Sequence, residues 1–301
     1  MTVDNGTPTR CGFVAIVGRP NVGKSSLLNA ILGKKISITC FKPQTTRHQI
    51  LGIKTEGDHQ TVYVDTPGLH LGAKKALNRQ MNRTAKNALI DVNAVIFMVE
   101  ALKWTAEDEM VCQMLQTLSC PIIIAINKVD LVPNKERLLP FLQELTQYLP
   151  QAKVVPISVK KKYQIKIIEE FINPLLPESE FYFPPDQIMS QNSRFYIAEM
   201  IREKLMHLLE KEIPYALTVE IEKCETQQNM LLIHALIWTE REGQKSIIIG
   251  ANGNMLKEVG SRARADLERH FEQKVCLKLW VKVKESWSDD VRALQSLGYV
   301  E

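Results

Sequence analysis

Lys24 and Ser25 close the stretch Gly18-Arg19-Pro20-Asn21-Val22-Gly23-Lys24-Ser25, which fits G-x-x-x-x-G-K-[ST]. That spacing describes a phosphate cradle. Glycines at both ends admit backbone dihedrals closed to other residues. Successive N–H groups from Gly18 through Asn21, Val22, Gly23, Lys24, Ser25 and Ser26 can then converge on a β-phosphate, and the dipole of a following helix favours its charge. Lys24 adds a point charge to the β- and γ-phosphates, and the Ser25 hydroxyl is placed to ligate Mg²⁺.

Two further clusters extend this chemistry. Asp65-Thr66-Pro67-Gly68 fits D-x-x-G: the Asp can hold Mg²⁺ through a water, and the Gly68 N–H can meet a γ-phosphate if the backbone comes close. Asn127-Lys128-Val129-Asp130 fits N-K-x-D. A carboxylate at Asp130 accepts the two N–H groups on the Watson–Crick edge of guanine. Adenine offers an acceptor and a C–H there, so the wrong base leaves a buried acceptor unpaired. Lys128 lays its stem along the base, and Asn127 ties the loop back to the cradle. Lys24 precedes Asp65 by 41 residues, and Asp65 precedes Asn127 by 62.

The elements that must carry these residues are legible as alternating apolar runs and helical patterns. Phe13 to Val17 predicts a buried strand and Ser26 to Leu32 a helix that Gly33 stops. Residues 36–39 (ISIT) suggest a short strand, and 40–49 an exposed loop. ILGIKTE and QTVYVD predict a hairpin turning at Gly57-Asp58. Then follow AVIFMVE (94–100), a helix near 105–118, PIIIAIN (121–127), a helix near 135–149, KVVPIS (153–158) and a helix near 163–173. Such alternation specifies an α/β fold, a mainly parallel sheet with helices on both faces, whose ligands collect at the carboxyl ends of the strands.

With cradle, D-x-x-G and N-K-x-D in this order, the chain resembles a P-loop GTPase. Ser158-Val159-Lys160 is similar to the S-A-K loop whose backbone reads guanine O6, with Val for Ala. Thr45-Thr46-Arg47 is the candidate first switch, its threonine closing on Mg²⁺ when a γ-phosphate is present. Thr46 is preferred because it precedes Arg47; Thr45 is the alternative. Many small GTPases place a water-orienting Gln after D-x-x-G, whereas Leu69 stands here and predicts slow intrinsic turnover. The resemblance to GTPases with G-x-P-N-x-G-K-S implies that Asn21 ligates K⁺ against the phosphates, so Lys24, Asn21 and Thr46 form the catalytic set. His48 and His70 are assigned no role.

Composition bounds the rest. The 301 residues, 45% hydrophobic and 24% charged, suit two globular domains. The opening lacks a signal-peptide pattern, and no apolar run approaches the length of a membrane span, so a cytoplasmic location is expected. Six cysteines (11, 40, 112, 120, 224, 276) without C-x-x-C argue against zinc or a disulfide framework. The expected division is a disordered 1–10, a first domain over 11–174, a proline-rich linker over 175–192, a second domain over 193–285, and a C-terminal helix or tail over 286–301.

In the second domain, helical spacing over 193–211 precedes strands LTVEIEK (217–223) and LLIHALIWTE (231–240). Residues 241–271 then run strand (SIII), glycine loop and helix, and KVCLKLWVKVKE (274–285) is a last strand. Gly250-Ala251-Asn252-Gly253 fits G-x-x-G. Its setting resembles a KH domain of the bacterial type (type II, α+β), in which such a loop clamps about four nucleotides of single-stranded RNA. Residues 245–284 hold nine Lys/Arg against four Asp/Glu, the local footprint of phosphate binding. With no Lys between the glycines, Lys245, Lys257, Arg262 and Arg264 must furnish the charge. Trp280 and Trp287 are assigned to neither core nor ligand.

A GTPase domain joined to a KH domain, with D-T-P-G-L-H, T-T-R-H, R-E-G-Q-K and L-W-V-K-V-K, resembles the Era-like GTPases over nearly the whole chain. The resemblance implies a Mg²⁺-dependent GTP/GDP switch that binds near the 3′ end of 16S rRNA and assists small ribosomal subunit maturation. It also implies loose peripheral membrane contact and no DNA partner. A tRNA-modifying GTPase would share the cradle but carry another catalytic domain in place of G-x-x-G. An assembly protein with an inert nucleotide site would show no nucleotide-dependent RNA affinity.

Overall fold

Buried β-branched runs build the centre of the computed structural model, which describes residues 8–69 and 75–299. They form β1 (Arg10–Val17), β2 (Ile50–Glu56), β3 (His59–Asp65), β4 (Ala94–Glu100), β5 (Ile122–Asn127) and β6 (Lys153–Pro156). The sheet runs β2-β3-β1-β4-β5-β6, parallel except for β2, which pairs antiparallel to β3. The intervening helices are α1 (Lys24–Leu32), α2 (Ala76–Asn87), α3 (Ala106–Leu115), α4 (Leu138–Tyr148) and α5 (Ile165–Ile172). Ala15, Val17, Val95, Phe97, Val99, Ile124 and Ile126 form one core with residues of α2, α3 and α4. Val14, Ile16, Ile96 and Ile123, which alternate with them, are equally buried. Strand alternation therefore places a second buried layer on the opposite face, and α1 packs on β2, β3 and α5.

The chain divides into two compact units. The second takes in Ile38–Thr45, the start of α2, and everything from Gln191 onward. It contains α6 (Ser193–Leu208), β7 (Leu217–Gln227), β8 (Met230–Thr239), α7 (Glu242–Ile249), α8 (Asn254–Phe271), β9 (Lys274–Val283) and α9 (Val291–Ser296). Its sheet runs β7-β8-β9, the first pair antiparallel and the second parallel. Within this unit the Thr39 N–H donates to the Glu203 carboxylate at 2.9 Å, and Arg202 of α6 donates to the Thr45 carbonyl. Trp287 is fully buried, its indole N–H donating to the Ala216 carbonyl at 3.0 Å, so it belongs to the core.

Several expectations are corrected. SIII is the end of helix α7, not a strand. Gln244 Oε1 accepts from Thr239 Oγ1 and from the N–H groups of Glu240 and Arg241, capping the helix start, which outweighs the β preference of three isoleucines. Residues 36–39 form no strand, because the Ile36 and Ser37 N–H groups are taken by Asn29 Oδ1. The loop 40–49 is not wholly exposed: Thr46 and Arg47 are buried. Arg10 is ordered as the first residue of β1 rather than part of a frayed end; residues 1–7 and His70 lie outside the described residues. The stretch 175–192 is no free linker. The Cys11 and Ile53 N–H groups donate to Pro177 and Ile188, and Gln60 exchanges hydrogen bonds with the Phe183 backbone. Helix α2, with Met81 and Ala85 fully buried, had no place in the sequence reading.

Candidate functional site

The cradle joins the end of β1 to α1, and its glycines are needed on geometric grounds. Gly18 has φ +146°, and a Cβ there would lie 2.5 Å from the Met98 carbonyl oxygen. Gly23 has φ +109°, and a Cβ would lie 2.4 Å from Asn127 Nδ2. Gly23 caps α1 with no side-chain hydrogen bond, so the first amides of the helix remain available to an anion. Lys24 is buried, and its Nζ donates to the carbonyls of Gly18 and Arg19 at 3.0 Å each. Burial pushes its pKa down to about 8, against the pull of the Asp65 carboxylate. Asn21 is exposed in a left-handed conformation (φ 64°), and among the described residues no hydrogen bond engages its amide. Val22 is buried and Ser26 half-buried at the start of α1.

The three expected metal ligands converge. Ser25 Oγ and Thr46 Oγ1 lie 2.7 Å apart. Asp65 is fully buried: one carboxylate oxygen accepts from Ser37 Oγ at 3.0 Å, and the other has no hydrogen-bond partner among the described residues. Burial raises the pKa of this carboxyl, while the Ser25 hydroxyl, Lys24 and Ser37 oppose the rise. An orphaned anionic oxygen next to two hydroxyls is a donor set of hard oxygens, and it fits Mg²⁺. Thr45 is separated from the set, its hydroxyl donating to the Lys42 carbonyl at 2.7 Å. The Thr66 hydroxyl donates to the Ile16 carbonyl at 2.9 Å, fixing the exit from β3. A Cβ on Gly68 would stand 2.8 Å from the Pro20 nitrogen, so the D-x-x-G turn abuts the cradle and tolerates only glycine. Leu69 is buried in the core formed with α2, α3 and α4.

Asn127, at the end of β5, holds the base side together. Its Nδ2 donates to the Val22 carbonyl at 2.8 Å, and its Oδ1 accepts from the Val159 N–H at 3.0 Å. The Ser158 hydroxyl donates to Asp130 at 2.6 Å and is the main reason that carboxyl's pKa is lowered. Lys160 is exposed beside this loop. Sequence reading missed the scaffold behind these residues. Arg19 Nη2 donates to Glu100 at 2.8 Å and Arg19 Nε to Asp108 at 3.0 Å, while Lys128 Nζ meets the same Glu100 oxygen at 3.0 Å. One legible trace was the Thr105-x-x-Asp108 capping box that opens α3.

In the second unit, Gly250, Ala251, Asn252 and Gly253 link α7 to α8 with φ +74° at Gly250, +51° at Asn252 and +76° at Gly253. A Cβ on Gly250 would lie 2.7 Å from Met255 Cβ, whereas Gly253 has open space. Beside the loop is a groove of about 450 Å³ lined by Lys257 and Arg264 over Leu256, Gly260, Leu277 and Leu279. Lys245 and Arg262 do not line it: they pair with Glu242 at 3.4 Å and Glu258 at 2.7 Å. The small and apolar floor was missed by sequence reading, although Leu256, Gly260 and Arg264 recur at helical spacing on α8.

Comparison with known proteins finds a family match in each part of the chain. Residues 13–128 match a family described as 50S ribosome-binding GTPase, and residues 212–288 match the KH domain family. The chain is 58% identical over 291 residues to GTPase Era of Pseudomonas aeruginosa (strain LESB58), covering 97% of this chain and 95% of that protein. GTPase Era of Pseudomonas putida (strain W619) is 56% identical over 299 residues, 99% of each chain. Two solved structures superpose with TM-score 0.94 at 38% identity, covering 97% of this chain and all of theirs. One is a variant of Aquifex aeolicus Era bound to GDP.AlF4-. The other is Era in complex with MgGDPNP and nucleotides 1506–1542 of 16S ribosomal RNA. Among the described residues no helix is long and apolar enough to cross a membrane.

Proposed function

We propose, from the premise that the chain belongs to the Era family of GTPases, that its first unit hydrolyses GTP at the Lys24 cradle and so sets the RNA grip of its second. The RNA is single-stranded, near the 3′ end of 16S rRNA, and the task is maturation of the small ribosomal subunit in the cytoplasm. A peripheral contact with the inner face of the membrane, and no DNA partner, complete the reading. The observation that carries it is the Ser25–Thr46 hydroxyl pair beside the orphaned Asp65 oxygen.

In this reading Asp130 and the Val159 amide receive guanine, with Lys128 against the base and Asn127 locking both loops. Lys24 and the amides from Gly18 to Ser26 hold the phosphates. Water attacks the γ-phosphorus, the bond to the β–γ bridging oxygen breaks, and Lys24 neutralises charge gathering on the leaving GDP. Ser25, Thr46 and Asp65 would hold Mg²⁺, which when bound would supply further charge neutralisation. With Leu69 buried in the core, no side chain directly after D-x-x-G orients the water, and intrinsic turnover is slow. Thr46 senses the γ-phosphate, and the residue before it, Thr45, is gripped by Arg202. A change at Thr46 is thereby passed along one peptide bond to the second unit.

Asn21, left-handed and with no hydrogen bond to its amide among the described residues, would supply a carbonyl ligand to a K⁺ ion, whose charge would help neutralise the phosphates. Turnover in potassium exceeds that in sodium by about tenfold or more at matched ionic strength, and Asn21→Ala removes the difference. Equal rates in both salts rule out this role.

RNA affinity measured with GDPNP, with GDP and without nucleotide tests the coupling. Binding is tightest with GDPNP, and Gly253→Asp weakens it by at least about tenfold by placing negative charge where a phosphate passes. Gly253 has open space around it but a left-handed φ of +76°, so Gly253→Asn, of the same shape and without the charge, separates the charge from the backbone strain. Identical affinities in all three states return the chain to an RNA-binding protein with an inert nucleotide site.

A further inference from the structure

In the second unit α6, α7 and α8 pack on the sheet. Along β8, Leu231, Ile233, Ala235 and Ile237 are buried, and in register with them on β9 stand Val275, Leu277, Leu279 and Val281. Leu277 and Leu279 reach the groove floor beside the G-x-x-G loop. The alternate residues face the opposite way. On β9 they are Lys274, Cys276, Lys278, Trp280 and Lys282, and all but the cysteine are exposed. One strand thus serves two surfaces, and it is an edge strand of its sheet.

We propose that this outward face of β9 is a second RNA-binding surface, on which Trp280 stacks a base and Lys278 and Lys282 neutralise the flanking phosphates of a single strand leaving the groove. This rests on the reading that the groove holds RNA.

Four observations carry it. Trp280 is 42% exposed, an unusual place for an indole in a chain with many better-buried positions. Its ring is held by an edge-to-face contact with His234 (centroids 5.1 Å apart, planes at 71°), so its orientation is set before any ligand arrives. The nearby Trp238 is already committed, its N–H to Glu220 at 2.8 Å and its ring under Lys284 at 5.8 Å, which leaves Trp280 as the available platform. Finally, the charge is complementary to a polynucleotide. Lys278 is exposed and makes no ion pair among the described residues, and Lys282, its side chain 58% exposed, has only Glu222 at 4.0 Å.

Spacing fits as well. Residues two apart on a strand are about 7 Å apart, so Lys278, Trp280 and Lys282 form a cation–aromatic–cation row suited to phosphate, base and phosphate of one extended strand. Aromatic platforms flanked by cations bind single strands with little sequence preference. Because β9 is an edge strand, a strand leaving the groove past Leu277 and Leu279 reaches this row by turning over a single β-strand.

The experiment compares two fluorescent RNAs ending at the 3′ terminus of 16S rRNA on the full chain with GDPNP. One, of about four nucleotides, fills only the groove; the other, of about twelve, can extend beyond it. Trp280→Ala weakens the long RNA about tenfold and leaves the short one unchanged, and Trp280→Phe recovers most of the loss. Lys278→Gln with Lys282→Gln lowers the salt slope of the long RNA by about 1.4, the loss of two phosphate contacts. Gly253→Asp weakens both RNAs, which reports on the groove separately. The proposal is overturned if Trp280→Ala affects both lengths equally or neither, if phenylalanine fails where alanine fails, or if the salt slope stays fixed. In the last case the lysines only protect an exposed edge from pairing.

Discussion

Asp130→Asn lowers GDP affinity by about a thousandfold and admits xanthosine diphosphate in its place. The carboxylate of Asp130 takes two hydrogen bonds from guanine, each worth about 2 kcal/mol when one partner is charged, and about 1.4 kcal/mol is a factor of ten. The direction of the exchange follows from Ser158. Its hydroxyl donates to one Asp130 oxygen at 2.6 Å, and it can donate only to the oxygen of an asparagine. The amide nitrogen is then turned toward the base, where it offers a hydrogen to the carbonyl that xanthine carries in place of guanine's amino group. Titration calorimetry with GDP, xanthosine diphosphate and ADP measures all three affinities. An unchanged GDP constant shows that Asp130 does not contact the base.

The second large effect is at Lys24. Lys24→Met reduces single-turnover GTP hydrolysis by about a thousandfold, the scale seen when one preorganised donor to developing charge is removed. The fold itself is spared. The ammonium is buried and its pKa is pushed down to about 8 by that burial, so the native state carries its desolvation cost. An apolar side chain of similar length removes the cost and leaves two carbonyls under-satisfied, a net change within about 1 kcal/mol. Thermal melting without ligand is therefore nearly that of the parent. The rise in melting temperature that GDP or GTP gives by binding only the folded state shrinks sharply. A variant that unfolds without ligand contradicts this account of the buried lysine.

The parts of the fold written in local chemistry were legible, and those set by distant partners were not. Gly18, Gly23, Lys24, Asp65, Asn127 and Asp130 declared themselves because one residue type alone satisfies each position. Runs such as IIIAIN announced parallel strands because both their faces are buried. By contrast, SIII reads as a strand until Gln244 is seen capping the turn before it. The stretch after residue 174 reads as a linker until its hydrogen bonds to β1, β2 and β3 are traced. Thr46 and Arg47 read as solvated because nothing local betrays that they are buried. Arg19 stands in the most conspicuous motif of the chain, yet its acidic partners lie 81 and 89 positions away.

That last network has a consequence for how the pocket works. Glu100 accepts from Arg19 and from Lys128 at one oxygen, and Asn127 spans the same gap a second time. The half that feels the triphosphate and the half that inspects the purine are thus cross-braced like two jaws on a common hinge pin. A ligand fragment that fills one jaw must stiffen both, and it recovers only part of that cost. An intact nucleotide shares the cost between its two ends, so base and phosphates are recognised as a single object.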